Sequence, residues 1–150
     1  MMKRKEKVYL ASSMESRFRD SIREAAEILR RTFENVFVPM EHTIVNAWDY
    51  PNNEWGLMVF ENDVFAIDQS EIVVLLNYGR KNTTAGCAWE AGYAFAAGKK
   101  VIVVDIDMDG NFITSLMIEN GRYATVVGLP GLESYDWEEL PKSRTSYEQK

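Results

Sequence analysis

The sequence predicts a single three-layer α/β domain whose five-stranded parallel sheet runs in the order 2-1-3-4-5. Three observations carry that expectation. Short apolar runs alternate with stretches of helical period along the whole chain, which is the pattern of strands crossed over by helices. The two middle runs, Ile72-Val73-Val74-Leu75-Leu76 and Val101-Ile102-Val103-Val104, are apolar at every position, as strands covered on both faces must be. A length of 150 residues with 46% hydrophobic content suits one core and gives no reason to expect a second domain. The core is expected over about residues 7–140, with 141–150 a frayed tail.

The elements follow in order. Val8, Tyr9, Leu10 and Ala11 form a first strand, closed by the small polar pair Ser12 and Ser13. From 16 to 31, Phe18, Ile22, Ala25, Ala26 and Leu29 recur at helical spacing between charged residues, predicting an amphipathic helix. A second strand over 36–38 is stopped by Pro39. Residues 40–53 show no sustained period and read as a long loop, a kind usually kept for function. Leu57, Phe60, Val64 and Ile67 mark a helix over 54–68, and the third strand follows at 72–76. Between the two buried strands lies a helix starting near Thr83 or Thr84 and ending by Gly98. Residues 115–119 allow one or two helical turns, 123–127 a fifth strand, and 135–140 a last short helix.

In sheets of this order ligands bind beyond the carboxyl ends of the strands, where the order reverses between the first and third. That edge gathers residues 9–13, the loop after Pro39 and residues 77–86. On the helix leading away from it, Glu90 is the only charged residue between Asn82 and Gly98. A helix apolar on nearly every face is expected to be buried centrally, where a lone carboxylate is costly. Side chains on a helix lean toward its N-terminus, so the carboxylate is expected over Gly86, one turn back, with room beside it for a small molecule. The positive helix end should favour its ionised form, which a nucleophile needs. A structural glutamate paired with an arginine, or one reaching sideways to solvent, fits the same spacing equally well.

Composition limits the rest. A net charge of -6, with a sequence pI near 4.9, argues against binding the nucleic acid backbone. Lys3, Arg4 and Lys5 are the one basic cluster and read as a solvated terminus. No apolar run is long enough to cross a membrane, and the charged start lacks the apolar core of a secretion signal, so a cytoplasmic location is expected. One cysteine, Cys87, and one histidine, His42, leave little for a metal site, and no cofactor is expected. No Gly-x-Gly-x-x-Gly follows the first strand, and no Gly-Lys-Ser or Gly-Lys-Thr occurs. Asp105, Asp107 and Asp109 alternate but lack the other positions of a calcium loop, and read as a solvated turn.

Trp89-Glu90-Ala91-Gly92-Tyr93-Ala94 followed by Gly98-Lys99, together with Asn62-Asp63 and with Tyr9 at the end of the first strand, resembles the nucleoside 2-deoxyribosyltransferase family along 9–117. The resemblance implies a flavodoxin-like (Rossmann-like) fold and a set of roles. Glu90 would attack C1' of a 2'-deoxyribonucleoside, Asp63 would exchange a proton with the base, and Tyr9 would orient Glu90. Without the resemblance, Asp63 reads as a solvated helix residue and Tyr9 as a core tyrosine with a satisfied hydroxyl.

Two positions depart from the transferase pattern. Thr84 stands where those enzymes carry an aspartate for the sugar 5'-hydroxyl, and Ser115, ahead of Leu116-Met117, where they carry an asparagine that reaches a neighbouring subunit's site. The related 2'-deoxynucleoside 5'-phosphate N-hydrolases are similar here, with serines at both positions and a pair like Glu41-His42. The resemblance therefore implies His42, Thr84, Gly86, Ser115 and Ser13 as substrate contacts. The basic residue that the hydrolases place two after a serine of the first loop is absent, since Met14-Glu15 follows Ser13. Transfer to another base is the leading expectation, with hydrolysis of a 5'-monophosphate and a non-catalytic nucleotide-binding module as alternatives. A homo-oligomer is expected because Trp48, Trp55, Phe60 and Phe65 exceed what one small sheet can cover.

Overall fold

A computed structural model describes residues 2–44, 46–106 and 115–139. Five parallel strands form one sheet in the order β2-β1-β3-β4-β5. They are β1 (Arg4–Ala11), β2 (Phe33–Phe37), β3 (Ile72–Asn77), β4 (Lys100–Asp105) and β5 (Ala124–Val127). The helices are α1 (Arg19–Thr32), α2 (Asn52–Gln69), α3 (Ala85–Ala96), α4 (Leu116–Gly121) and α5 (Gly128–Glu133).

Strand parity divides the core in two. Val8 and Leu10 of β1, Ile72, Val74 and Leu76 of β3, and Ile102 and Val104 of β4 pack with α1, Leu132 of α5 and Trp137. The alternate residues Tyr9, Ala11, Val73, Leu75, Val101 and Val103 pack with Ala66 and Ile67 of α2, Cys87, Ala91 and Ala94 of α3, and Ile118 of α4. Because successive side chains of a strand point to opposite faces, the odd number of Tyr9 commits it to the α2–α3 side. A shift by one residue would send its ring to the wrong layer.

The boundaries differ from expectation in ways that have local causes. β1 begins four residues earlier, at Arg4, its start held by the Arg4–Glu6 pair and by Arg4–Glu138. A 3-10 turn at Ser16–Phe18 precedes α1, so only the later part of that stretch is α-helical. β2 leaves α1 directly at Phe33, and Pro39 ends it as expected but also opens a 3-10 turn at Pro39–Glu41. The stretch read as one long loop holds that turn and another at Ala47–Asp49, and α2 starts at Asn52. α5 was not anticipated because Gly128, Pro130 and Gly131 all speak against a helix. Pro130 lies in its first turn, where a missing N–H costs nothing. The last expected helix is a 3-10 turn at Trp137–Glu139. Asp107, Asp109 and the tail beyond 139 lie outside the described residues.

One expectation is overturned. α3 is not buried in the middle of the domain: it lies in an outer layer with only Cys87, Ala91 and Ala94 buried, and Trp89 is 48% exposed. Its other apolar side chains meet neighbouring helices or solvent. Trp89 stacks on Tyr93 (5.3 Å, 7°) and packs against Phe60 of α2 (5.4 Å, 60°).

Candidate active site

The first functional side chain is placed by the sheet. The ring of Tyr9 is fully buried between β2 and β3, and a buried phenol needs a partner for its hydroxyl. It donates to Oε2 of Glu90 on α3. Burial and the two neighbouring carboxylates push the Tyr9 hydroxyl far above its usual range, so it stays a donor. Glu90 makes no ion pair among the described residues, which removes the structural-arginine reading.

Asp63, half-buried on α2, completes the group. Its carboxyl is raised by burial, an effect opposed by a hydrogen bond with Tyr9 and by the nearby His42. Glu90 is pushed up to about 7, first by burial and then by the charge of Asp63, against the Tyr9 hydrogen bond. This corrects the expectation that the helix end keeps Glu90 ionised. Glu90 is the sixth residue of α3, beyond the first turn within which the dipole acts, so desolvation wins. The pair therefore keeps a proton into the neutral range.

Gly86, one turn before Glu90, has open space around it. A methyl group built on Gly86 would meet only Thr84 Oγ1, at 3.9 Å. Thr84 is exposed and is the N-cap of α3, its hydroxyl accepting from the amide of Cys87 at 3.2 Å. Cys87 itself is buried, and its thiol is pushed up to about 11 by that burial, so it is an inert packing residue. The loop into α3 is braced from below by Asn77, which is buried. Its side-chain amide donates to Asp105 at 2.7 Å, while its oxygen accepts from the amide of Gly79 at 3.1 Å and the hydroxyl of Thr83 at 3.3 Å.

Two further groups frame the mouth. On one side three nearly parallel rings run outward: Tyr9 stacks on Phe37 (5.6 Å, 11°), and Phe37 on the exposed His42 (4.2 Å, 9°). Phe37 escaped the sequence reading, although its register opposite Tyr9 places it on the same face. On the other side Arg17 reaches from the segment after β1 to the side-chain oxygen of Asn82 beyond β3, while its Nε bonds Glu15 at 2.8 Å. Ser13 is buried on the β1 loop and accepts from the amide of Glu15 at 3.4 Å.

Ser115 stands apart from this group. It caps α4, accepting from the amide of Ile118 at 3.1 Å, and lines an apolar cavity of about 400 Å³ with Ala88, Ala91, Gly92, Phe95 and Met117. At 100° per residue, that side of α3 lies well over a quarter-turn from Glu90, averaging roughly 150° away. Within one chain Ser115 therefore faces α3 on a side away from Glu90.

Fold and site together define an α/β protein with a tyrosine-bridged carboxylate pair at the point where the strand order reverses. The chain belongs to the nucleoside 2-deoxyribosyltransferase family, whose model matches residues 8–126. Among solved structures it is similar to a 2-deoxyribosyltransferase from the psychrotolerant bacterium Bacillus psychrosaccharolyticus, with 28% identity, 90% of this chain and 96% of that one covered, and a TM-score of 0.76. It also shares its fold with a conserved protein from Enterococcus faecalis V583, at 18% identity, 87% and 98% coverage and a TM-score of 0.65. No curated protein matches. Among the described residues, no cluster of metal-ligating side chains occurs and no helix is long and apolar enough to cross a membrane.

Proposed function

We propose that this protein is a nucleoside 2-deoxyribosyltransferase that works through a deoxyribosyl ester on Glu90. Family membership supports an enzyme of the deoxyribosyl-transferring kind, and the observation that carries the mechanism is the Tyr9 hydroxyl held on Glu90 with Asp63 beside it. In the first step an oxygen of Glu90 forms a bond to C1' as the bond from C1' to the base nitrogen breaks. The proton that the pair shares moves from Glu90 to Asp63 as the substrate binds and passes from Asp63 to the departing base. In the second step a nitrogen of the incoming base attacks C1', the ester bond breaks, and the new base returns a proton to Asp63. Two displacements at one carbon retain its configuration. Of the two carboxyls only one need be ionised at a time, which suits a pair that keeps a proton near neutral pH.

The Arg17–Asn82 bridge favours a second reading, cleavage of 2'-deoxynucleoside 5'-monophosphates with water as acceptor. It sets a guanidinium on Asn82, two residues before Thr84, which stands where the transferases carry an aspartate, and an arginine in that loop suits a phosphate. Incubation with deoxyinosine plus adenine, beside incubation with a deoxynucleoside monophosphate alone, separates the two. Deoxyadenosine in the first supports transfer, and free base released only in the second supports hydrolysis. Loss of both reactions in Glu90→Ala supports catalysis at this residue. Turnover of neither substrate by the unaltered protein leaves the binding-module reading standing.

The proposed assembly is a homo-oligomer. Leu57, Phe60, Phe65, Leu116 and Met117 are all at least half exposed, and Ser115, across α3 from Glu90, serves a neighbour's site in this reading. Light scattering on the eluted protein tests it, a monomer being the adverse result. No nucleic acid or membrane partner enters this reading.

A further inference from the structure

We infer that Arg30, far from the carboxylate pair in sequence and in a different layer, is a positioning residue for nucleobase binding. This inference rests on the proposed function, since it assumes that the ligand carries an aromatic base. Arg30 sits in the last turn of α1, and its guanidinium grips both oxygens of Glu41, Nη1 to Oε2 at 2.7 Å and Nη2 to Oε1 at 2.5 Å. The same Nη2 donates to the carbonyl of Val36 in β2 at 3.1 Å. One planar group thus ties the end of a helix, a strand and the turn that follows it. A bidentate guanidinium–carboxylate contact fixes direction as well as distance.

What it holds is the turn Pro39–Glu41, whose own bonds are Glu41 N to Val38 O and His42 N to Pro39 O. The next residue is His42, with its ring flat against Phe37 and its other face exposed. Phe37 in turn stacks on Tyr9, whose hydroxyl holds Glu90, so the three rings lead from the carboxylate out to His42. Stacking needs a platform in a fixed plane. Phe37 supplies the support from below and the Arg30–Glu41 clamp fixes the backbone that carries the imidazole. Exposed ion pairs contribute little to overall stability, so the clamp can be broken without unfolding the domain.

The experiment measures saturation kinetics of base exchange, with deoxyinosine and adenine, for the unaltered protein and for Arg30→Gln, His42→Ala and their combination. The expected result is a KM about tenfold higher in Arg30→Gln with kcat within about twofold, the loss of one base-stacking contact. The same rise is expected in His42→Ala, and no further rise in the double variant, because Arg30 acts only through His42. The charge-reversed pair Arg30→Glu with Glu41→Arg should recover part of the lost affinity, which a general folding defect would not. Additive effects in the double variant, an equal fall in kcat, or an unchanged KM in Arg30→Gln would each overturn the inference. If the unaltered protein exchanges no base, the same kinetics are read as base release from a deoxynucleoside monophosphate. Failure of both substrates overturns the proposed function itself, a result distinct from an active protein that is indifferent to Arg30.

Discussion

Tyr9 and Glu90, 81 residues apart in sequence, are joined by a hydrogen bond from a phenol whose ring is fully buried. The bond fixes the rotamer of the carboxylate and offsets part of its desolvation. Tyr9→Phe keeps the ring and loses both effects. Because the hydroxyl lowers the Glu90 pKa, its removal raises that value above about 7, and the acid limb of the pH–rate profile moves to higher pH. On the plateau the rate should fall about tenfold to a hundredfold through lost orientation. A limb that stays in place would show that the hydroxyl does not reach Glu90 in solution.

Asp63→Asn shifts the same limb the other way. The Asp63 charge raises the Glu90 pKa, so neutralising it lets Glu90 ionise at lower pH. Loss of the proton donor should cost roughly 10²–10⁴ in rate with a natural base as leaving group, and much less with a nitrophenyl deoxyriboside. Equal losses with both leaving groups would deny Asp63 its role in proton transfer.

Burial of Glu90 should also be visible in stability. Its folded pKa lies above the ordinary 4.5, so the folded state holds the proton more tightly than the unfolded chain. Stability from this group is therefore greatest below about 4.5, declines as pH rises to about 7, and is level beyond. The decline is on the order of 3 kcal/mol at most. Glu90→Gln should match the unaltered protein at pH 4.5 and exceed it at pH 8 in denaturant titrations, while losing turnover. Equal stability at both pH values would mean that the carboxylate is solvated.

Gly86→Ala separates space from stability. The added methyl meets nothing closer than ordinary contact, and alanine is the better helix former, so Tm should hold or rise. If the sugar lies against Gly86, KM should rise about tenfold. Unchanged kinetics would move the sugar elsewhere.

Much of this was legible in the sequence because it follows from period and parity. The uniformly apolar runs at 72–76 and 101–104 mark the centre of the sheet. The protonation of Glu90 was not legible, since it depends on how far Tyr9, Asp63 and the sheet exclude water, a quantity set by elements distant in sequence. Phe37 was hidden for a related reason: its value lies in register against Tyr9, and register is decided by the packed sheet. The outer position of α3 is not legible in its apolar composition, because Trp89 and Phe60 cover each other at the surface.

The oxygen of Thr84 that starts α3 is also the atom nearest the open space above Gly86. Any drift in substrate choice at this position must keep a side chain able to begin a helix, which narrows the useful alphabet to serine, threonine, aspartate and asparagine. Among these four, only aspartate brings a charge. If Thr84 meets the sugar terminus as proposed, preference for a charged or an uncharged one can be exchanged by one substitution without dismantling the helix that carries Glu90, a short evolutionary path on one scaffold.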